Sequence, residues 1–132
     1  MKITEIAFTC FPVTDMSKSR AFYEGLLNLK PSTQFGSPSE ASEWTEYEIG
    51  GGAFAIGRHS SFKTSPDGAS IAFEVEDFDK AVQQLKEAEV TFKIEPTETP
   101  VCRMAMIFDP DGSIVCIHKS KTQAATNSPV TY

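Results

Sequence analysis

Apolar and polar positions along the chain switch period in the same order twice. Residues 4–13, "TEIAFTCFPV", are β-branched and aromatic and predict a strand ending near Pro12. From Asp15 the spacing lengthens. In "MSKSRAFYEGLLNL" the pairs Phe22/Leu26 and Tyr23/Leu27 lie four apart, which predicts a helix capped by Asp15. A short extended piece at 30–34 and the loop "FGSPSEASE" follow. "WTEYEI" and "AFAIGR" then predict two strands joined by Gly50, Gly51 and Gly52.

The cycle restarts at "SIAFEV", residues 70–75, with Asp77 as the second helix cap. "FDKAVQQLKEAEV" places Phe78, Ala81, Val82, Leu85 and Ala88 on one helical stripe. "VTFKI", "RMAMIF" and "SIVCIH" predict three more strands, the last two joined by the turn "DPDG". "FPVTDM" matches "FEVEDF" at an offset of 62, and "GGAFAI" matches "GSIVCI" at an offset of 61. Two matches in register, with one order of elements, make this a duplicated βαβββ unit. One domain over 1–121 is expected, with repeats at about 3–58 and 69–120 and a tail at 122–132. The tail lacks periodicity and would fray by default. Val130 and Tyr132 are the residues expected to dock it on its own domain or on a neighbouring chain.

Composition narrows the function classes. A chain of 132 residues, 40% hydrophobic and 23% charged, buries a core and is not of disordered type. Net charge is −6, and the longest basic cluster is "HKSK" at 118–121, so nucleic acid is not an expected partner. No apolar run approaches the roughly 20 residues of a membrane span, and Glu5 interrupts the N-terminal apolar stretch. Cys10, Cys102 and Cys116 are odd in number and lack CxxC spacing, which predicts a reducing cytoplasm and no disulfide framework.

"VTDMSKSRAFYEGLLNLK", "IAFEVEDFDKAVQQL" and "FDPDGSIVCIHK", in that order, resemble the vicinal oxygen chelate superfamily of glyoxalase I, bleomycin-resistance proteins and extradiol dioxygenases. The resemblance spans about residues 3–120. It implies an α+β fold in which two βαβββ repeats form a curled eight-stranded mixed sheet around a cavity. It further implies a homodimer, since members of the superfamily usually close their sites with a second chain.

In metal-using members, one His, Gln or Glu ligand stands on the first and fourth strands of each repeat. Carried onto this chain, those positions are Phe8, Ala55, Ser70 and Cys116, a set that cannot hold a divalent metal. No metal and no cofactor are expected. The leading function is therefore binding of a small organic molecule in the cavity without metal. The alternative is a divalent-metal lyase, isomerase or dioxygenase with a shifted ligand set, His59, Glu74 and His118.

Strand alternation then assigns faces. Phe8, Cys10, Ala55, Ser70, Ala72, Cys116 and His118 should face the cavity. Ile56, Ile71, Phe73, Val75, Val115 and Ile117 should pack on the helices. Phe8, Cys10, Ala55, Ser70, Arg103, Cys116 and His118 are the expected ligand-binding residues. His118 would act as hydrogen-bond partner or general base, or would be a plain strand-end histidine. Cys116 reads as a buried thiol, or as a nucleophile if a base lowers its pKa. Arg103 would hold an anionic group or lie exposed. Trp44, Glu46 and Glu48 share one strand face, toward the cavity or toward water.

Overall fold

A computed structural model describes residues 2–121; the expected docking of the tail through Val130 and Tyr132 falls outside the described residues. The order of elements is β1 (Thr9–Pro12), α1 (Met16–Arg20), β2 (Pro31–Gly36), β3 (Ser42–Ile49), β4 (Gly52–His59), β5 (Ser70–Glu74), α2 (Phe78–Glu87), β6 (Phe92–Glu98), β7 (Cys102–Phe108) and β8 (Ile114–Ser120). The helix α1 runs on as a π-helical stretch over Ala21–Leu26. The predicted βαβββ order is present twice. The chain forms two compact units, one running to Gly68 with Asp109–Ser113 added, the other holding Ala69–Phe108 and the chain from Ile114. Among the described residues no helix is long and apolar enough to cross a membrane.

Each unit contains a four-stranded sheet of mixed sense, in the orders β1-β4-β3-β2 and β5-β8-β7-β6. In both, the first strand of the repeat pairs in parallel with the fourth, Cys10 opposite Ala55 and Ala72 opposite Cys116. These pairs correspond under the sequence offsets, so the internal repeat is also a repeat of register. Asp15 and Asp77 cap α1 and α2 by accepting from the amides of Lys18 and Lys80, both at 3.1 Å.

The predicted first strand, 4–13, is observed only at Thr9–Pro12. Register explains the shortening. Thr9 lies opposite Phe54, and β4 begins at Gly52 after the turn at Gly50 and Gly51. Residues before Ala7 therefore outrun their partner strand, and Ile3 and Ile6 are 84% and 82% exposed.

The core of the first unit is aromatic. Tyr23 on the π-helical stretch meets Phe54 at 5.1 Å between ring centroids, and Phe54 meets Phe11 edge-on at 5.4 Å. Tyr23, Tyr47 and Phe54 are all buried, each worth roughly 1.5–3 kcal/mol by the general scale for large side chains. The Tyr23 hydroxyl donates to Asp109 at 2.7 Å, and the same carboxylate accepts from the amides of Asp111 and Ser113, both at 2.9 Å. Asp109 thereby shapes the turn predicted at "DPDG" and ties it to α1. Burial, only partly offset by these donors, raises the pKa of Asp109 above the ordinary carboxylate value.

Replacing Tyr23 with Phe leaves that buried carboxylate one donor short, so unfolding free energy should fall by about 1–3 kcal/mol. Tyr47→Phe, which loses a bond to the partly exposed Glu24, should cost less. Urea denaturation of the two variants side by side measures the difference.

Candidate functional site

Pairing register sorts every strand residue onto one of two faces. In the first sheet, Trp44 lies opposite Gly57, Glu46 opposite Ala55 and Glu48 opposite Ala53. Cys10 and Pro12 lie opposite Ala55 and Gly57 from the other side. Directly paired residues share a face. Trp44, Glu46 and Glu48 therefore stand with Cys10, on the face away from the helix, which resolves their orientation. The opposite face carries Phe11, Phe54, Ile56 and Tyr47 toward α1, as the aromatic contacts require.

On the outward face of the first sheet lies a recess of about 400 Å³, lined by Phe8, Cys10, Pro12, Trp44, Phe62 and Lys63. Its size falls within the roughly 300–1,000 Å³ of small-molecule pockets. Phe8 meets Trp44 edge to face, at 5.2 Å between centroids and 83° between planes. The floor depends on a glycine. A Cβ on Gly57 would stand 2.9 Å from Cε2 of Phe62 and 3.0 Å from Cε3 of Trp44, so both rings close over the sheet because no side chain rises there. Burial pushes the Cys10 thiol up to about 11, away from the lowered values that mark an activated thiolate.

The expected site residues separate. Phe8 and Cys10 meet in the recess. Ala55 shares their face but is fully buried beneath it. Ser70, Cys116 and His118 belong to the second sheet, on the face they were expected to share. There Nδ1 of His118 meets Glu74 at 2.5 Å, and the other Glu74 oxygen accepts from the amide of Ser120 at 2.8 Å. Desolvation works against ionisation of Glu74, but the Ser120 amide and His118 outweigh it and hold the carboxyl below its ordinary range. A carboxylate only accepts, so Nδ1 donates to Glu74. Burial, reinforced by Cys102, raises the pKa of Cys116, which matches a buried thiol and not an activated nucleophile.

Arg103 is corrected. It pairs with Lys119 while Met104 pairs with His118, so it projects from the opposite face. Its guanidinium lies 4.6 Å from the centre of the Phe78 ring and bonds Asp79 at 2.7 Å, both on α2. Pro12, Phe62, Lys63 and Gly57 were missed. The available signals were an aromatic, Phe62, inside the polar loop "HSSFKTS", and a glycine at 57 in the middle of a strand.

Residues 5–117 match the family model of the Glyoxalase/Bleomycin resistance protein/Dioxygenase superfamily. Among solved structures, glyoxalase I of Leishmania major, described as trypanothione-dependent, is 22% identical with a TM-score of 0.75, over 94% of this chain and 92% of that one. TnmS3, an antibiotic binding protein from Streptomyces sp. CB03234, is 24% identical with a TM-score of 0.71, over 92% and 99%. A glyoxylase/bleomycin resistance protein/dioxygenase domain from Frankia sp. EAN1pec is 15% identical with a TM-score of 0.71, over 91% and 100%. At these identities the likeness is one of fold. No curated protein matches the chain.

The divalent metal that the resemblance implies does not fit. A phenyl ring at Phe8 and a methyl group at Ala55 offer no donor atom, and Ser70 and Cys116 do not complete a coordination shell. The shifted set fares no better. Its members do not come together: His59 bonds Ser61, while Glu74 and His118 bond each other. Among the described residues no three His, Cys, Asp or Glu side chains group to hold a metal.

Gly57→Ala tests the recess floor. The displaced groups are a loop ring and an indole on the outward face of β3, so stability should change by less than about 1.5 kcal/mol. The emission of Trp44, the single tryptophan of the chain, should nonetheless shift as the indole is pushed aside. An unchanged emission spectrum would refute the close packing of Trp44 on Gly57.

Proposed function

The chain belongs to the glyoxalase/bleomycin resistance protein/dioxygenase superfamily, and from that premise we propose that it binds a small organic molecule without a metal. The observation that carries this reading is the recess on the first sheet, walled by Phe8, Pro12, Trp44 and Phe62. Apolar walls of this kind draw a ligand out of water, and aromatic faces at fixed angles select flat groups over flexible chains. The recess floor is a hydrogen-bonded sheet with Ala55 fully buried, which limits the ordering cost that falls on the protein when a ligand enters. The antibiotic binding described for TnmS3 supports the same direction.

Chemistry at the site supports binding over turnover. The Cys10 thiol is neutral, and the positions where metal-using relatives hold their ligands carry Phe8 and Ala55. His118, oriented by Glu74, serves as a hydrogen-bonding group on the second sheet. The protein acts as a homodimer in a reducing cytoplasm. Unpaired Ile3 and Ile6 and three free cysteines support those two points.

A thermal-shift screen over antibiotics, thiols, 2-oxoaldehydes and catechols should raise the melting temperature with at least one compound, and the rise should shrink in Gly57→Ala. A screen without a single stabilising compound would overturn the reading. Protein purified without chelator should carry well under one equivalent of zinc, nickel, manganese or iron. A stoichiometric metal lost in His118→Ala would restore the metal-dependent enzyme. Light scattering at micromolar concentration should give twice the 14.5 kDa chain mass, and a mass of one chain would refute the homodimer.

A further inference from the structure

We propose that the recess on the first sheet selects flat aromatic molecules bearing an anionic substituent, which Lys63 receives at one end while Glu46 repels it from the other. The inference rests on the recess being a ligand site, and it adds the sign and direction of the ligand's charge.

The walls are apolar except at one point. Phe8, Cys10, Pro12, Trp44 and Phe62 supply rings, a neutral thiol and a pyrrolidine, and Lys63 is the charged residue among the lining. Lys63 makes no ion pair and no side-chain hydrogen bond among the described residues. The arginines of the chain are engaged elsewhere. Arg20 is held by Glu24, Arg58 by Glu43, and Arg103 by Asp79. An ammonium left without a partner at the rim of an apolar recess is well placed to be satisfied by a ligand.

Register gives the recess a direction. Along the outward face the rows run from Ala53 and Glu48, through Cys10, Ala55 and Glu46, to Pro12, Gly57 and Trp44. Past Gly57, the chain leaves β4 at His59 and turns, the Phe62 amide donating to the His59 carbonyl at 2.9 Å, which brings Phe62 and Lys63 to that end. Glu46 and Glu48 thus stand toward one end of the face and Lys63 at the other. Neither carboxylate has an ion pair among the described residues. A flat ligand lying on Trp44 would meet positive charge at one edge and negative charge beyond the other. His59 faces the same end, with Nδ1 engaged by Ser61 at 2.6 Å, and adds no negative charge there.

The area of contact comes from the rings, and the sign comes from Lys63. In an apolar surround such a pair is screened less than on open surface. An amine-bearing aromatic would bring like charge to Lys63 and lose the advantage.

Trp44, as the single tryptophan, reports on the recess directly. Three probes of one shape separate ring contact from charge: 2-naphthoate, 2-methoxynaphthalene and 2-naphthylmethylammonium, each titrated by Trp44 emission at low and high salt. The expected order is anion, then neutral, then cation. Anion should exceed cation by roughly tenfold at low salt, a gap that narrows as salt is added. Lys63→Met should weaken 2-naphthoate several-fold and leave 2-methoxynaphthalene unchanged, and Lys63→Glu should reverse the order. Lys63 is exposed, so both variants should fold, and unchanged melting temperatures confirm it. Equal binding of all three probes, or a preference for the cation, would overturn the charge selection while leaving the recess as a ligand site. No response of Trp44 to any probe would overturn the recess as a ligand site for aromatics, and the charge selection with it.

Discussion

A four-stranded sheet with one helix has more surface than the helix can cover, and each repeat here resolves that imbalance in the same way. The helix takes one face, and strand alternation commits the residues of that face to a core. Phe11, Phe54, Ile56 and Tyr47 meet α1 in the first unit; Ile71, Phe73, Val115 and Ile117 form the matching set in the second. The period of two leaves no freedom for the other face, which receives whatever the intervening positions carry. Those positions hold Cys10, Trp44, Glu46 and Gly57 in one sheet and Ser70, Cys116 and His118 in the other. Parity thus assigns the polar and small residues to one face and the large apolar ones to the other.

The parallel pairing of first and fourth strands makes the segregation consistent between repeats. Cys10 beside Ala55 and Ala72 beside Cys116 are the same relation repeated, so one register decides the faces of both sheets. Where a polar group enters a core, it is satisfied locally. Asp109 is buried yet accepts three hydrogen bonds, and among the described residues no buried side-chain nitrogen or oxygen lacks a partner. Its raised pKa reflects the cost of that burial, which the donors reduce but do not cancel.

The repeat, the helix caps and the two faces were legible in the sequence because each rests on local periodicity. Asp15 and Asp77 announce their helices, and Val115 and Ile117 announce their side of the strand. Arg103 was not legible for a definite reason. Its face depends on where the hairpin closes, and "DPDG" permits closures that differ by one residue, each of which would flip the strand. The observed pairing of Phe108 with Ile114 puts Arg103 beside Lys119 and away from His118. The shortened first strand has a similar origin, since Ile3 and Ile6 look strand-like but their partner begins only at Gly52. Phe62 and Lys63 come from a loop, where no period exists to aim a side chain.

Gly57 shows how the fold and the candidate site constrain each other. On the core side its neighbours Ile56 and Phe54 are large, because the helix demands volume. On the outward side the chain descends from Ala55 to a bare glycine, and the space surrendered there is taken by the rings of Trp44 and Phe62. A larger residue would serve the strand equally well, since the backbone at this position is not of the left-handed kind reserved for glycine. The glycine therefore has no conformational reason to stand in the middle of β4. Its effect is to let two aromatic rings seat directly on the sheet, which converts a flat strand surface into a walled recess.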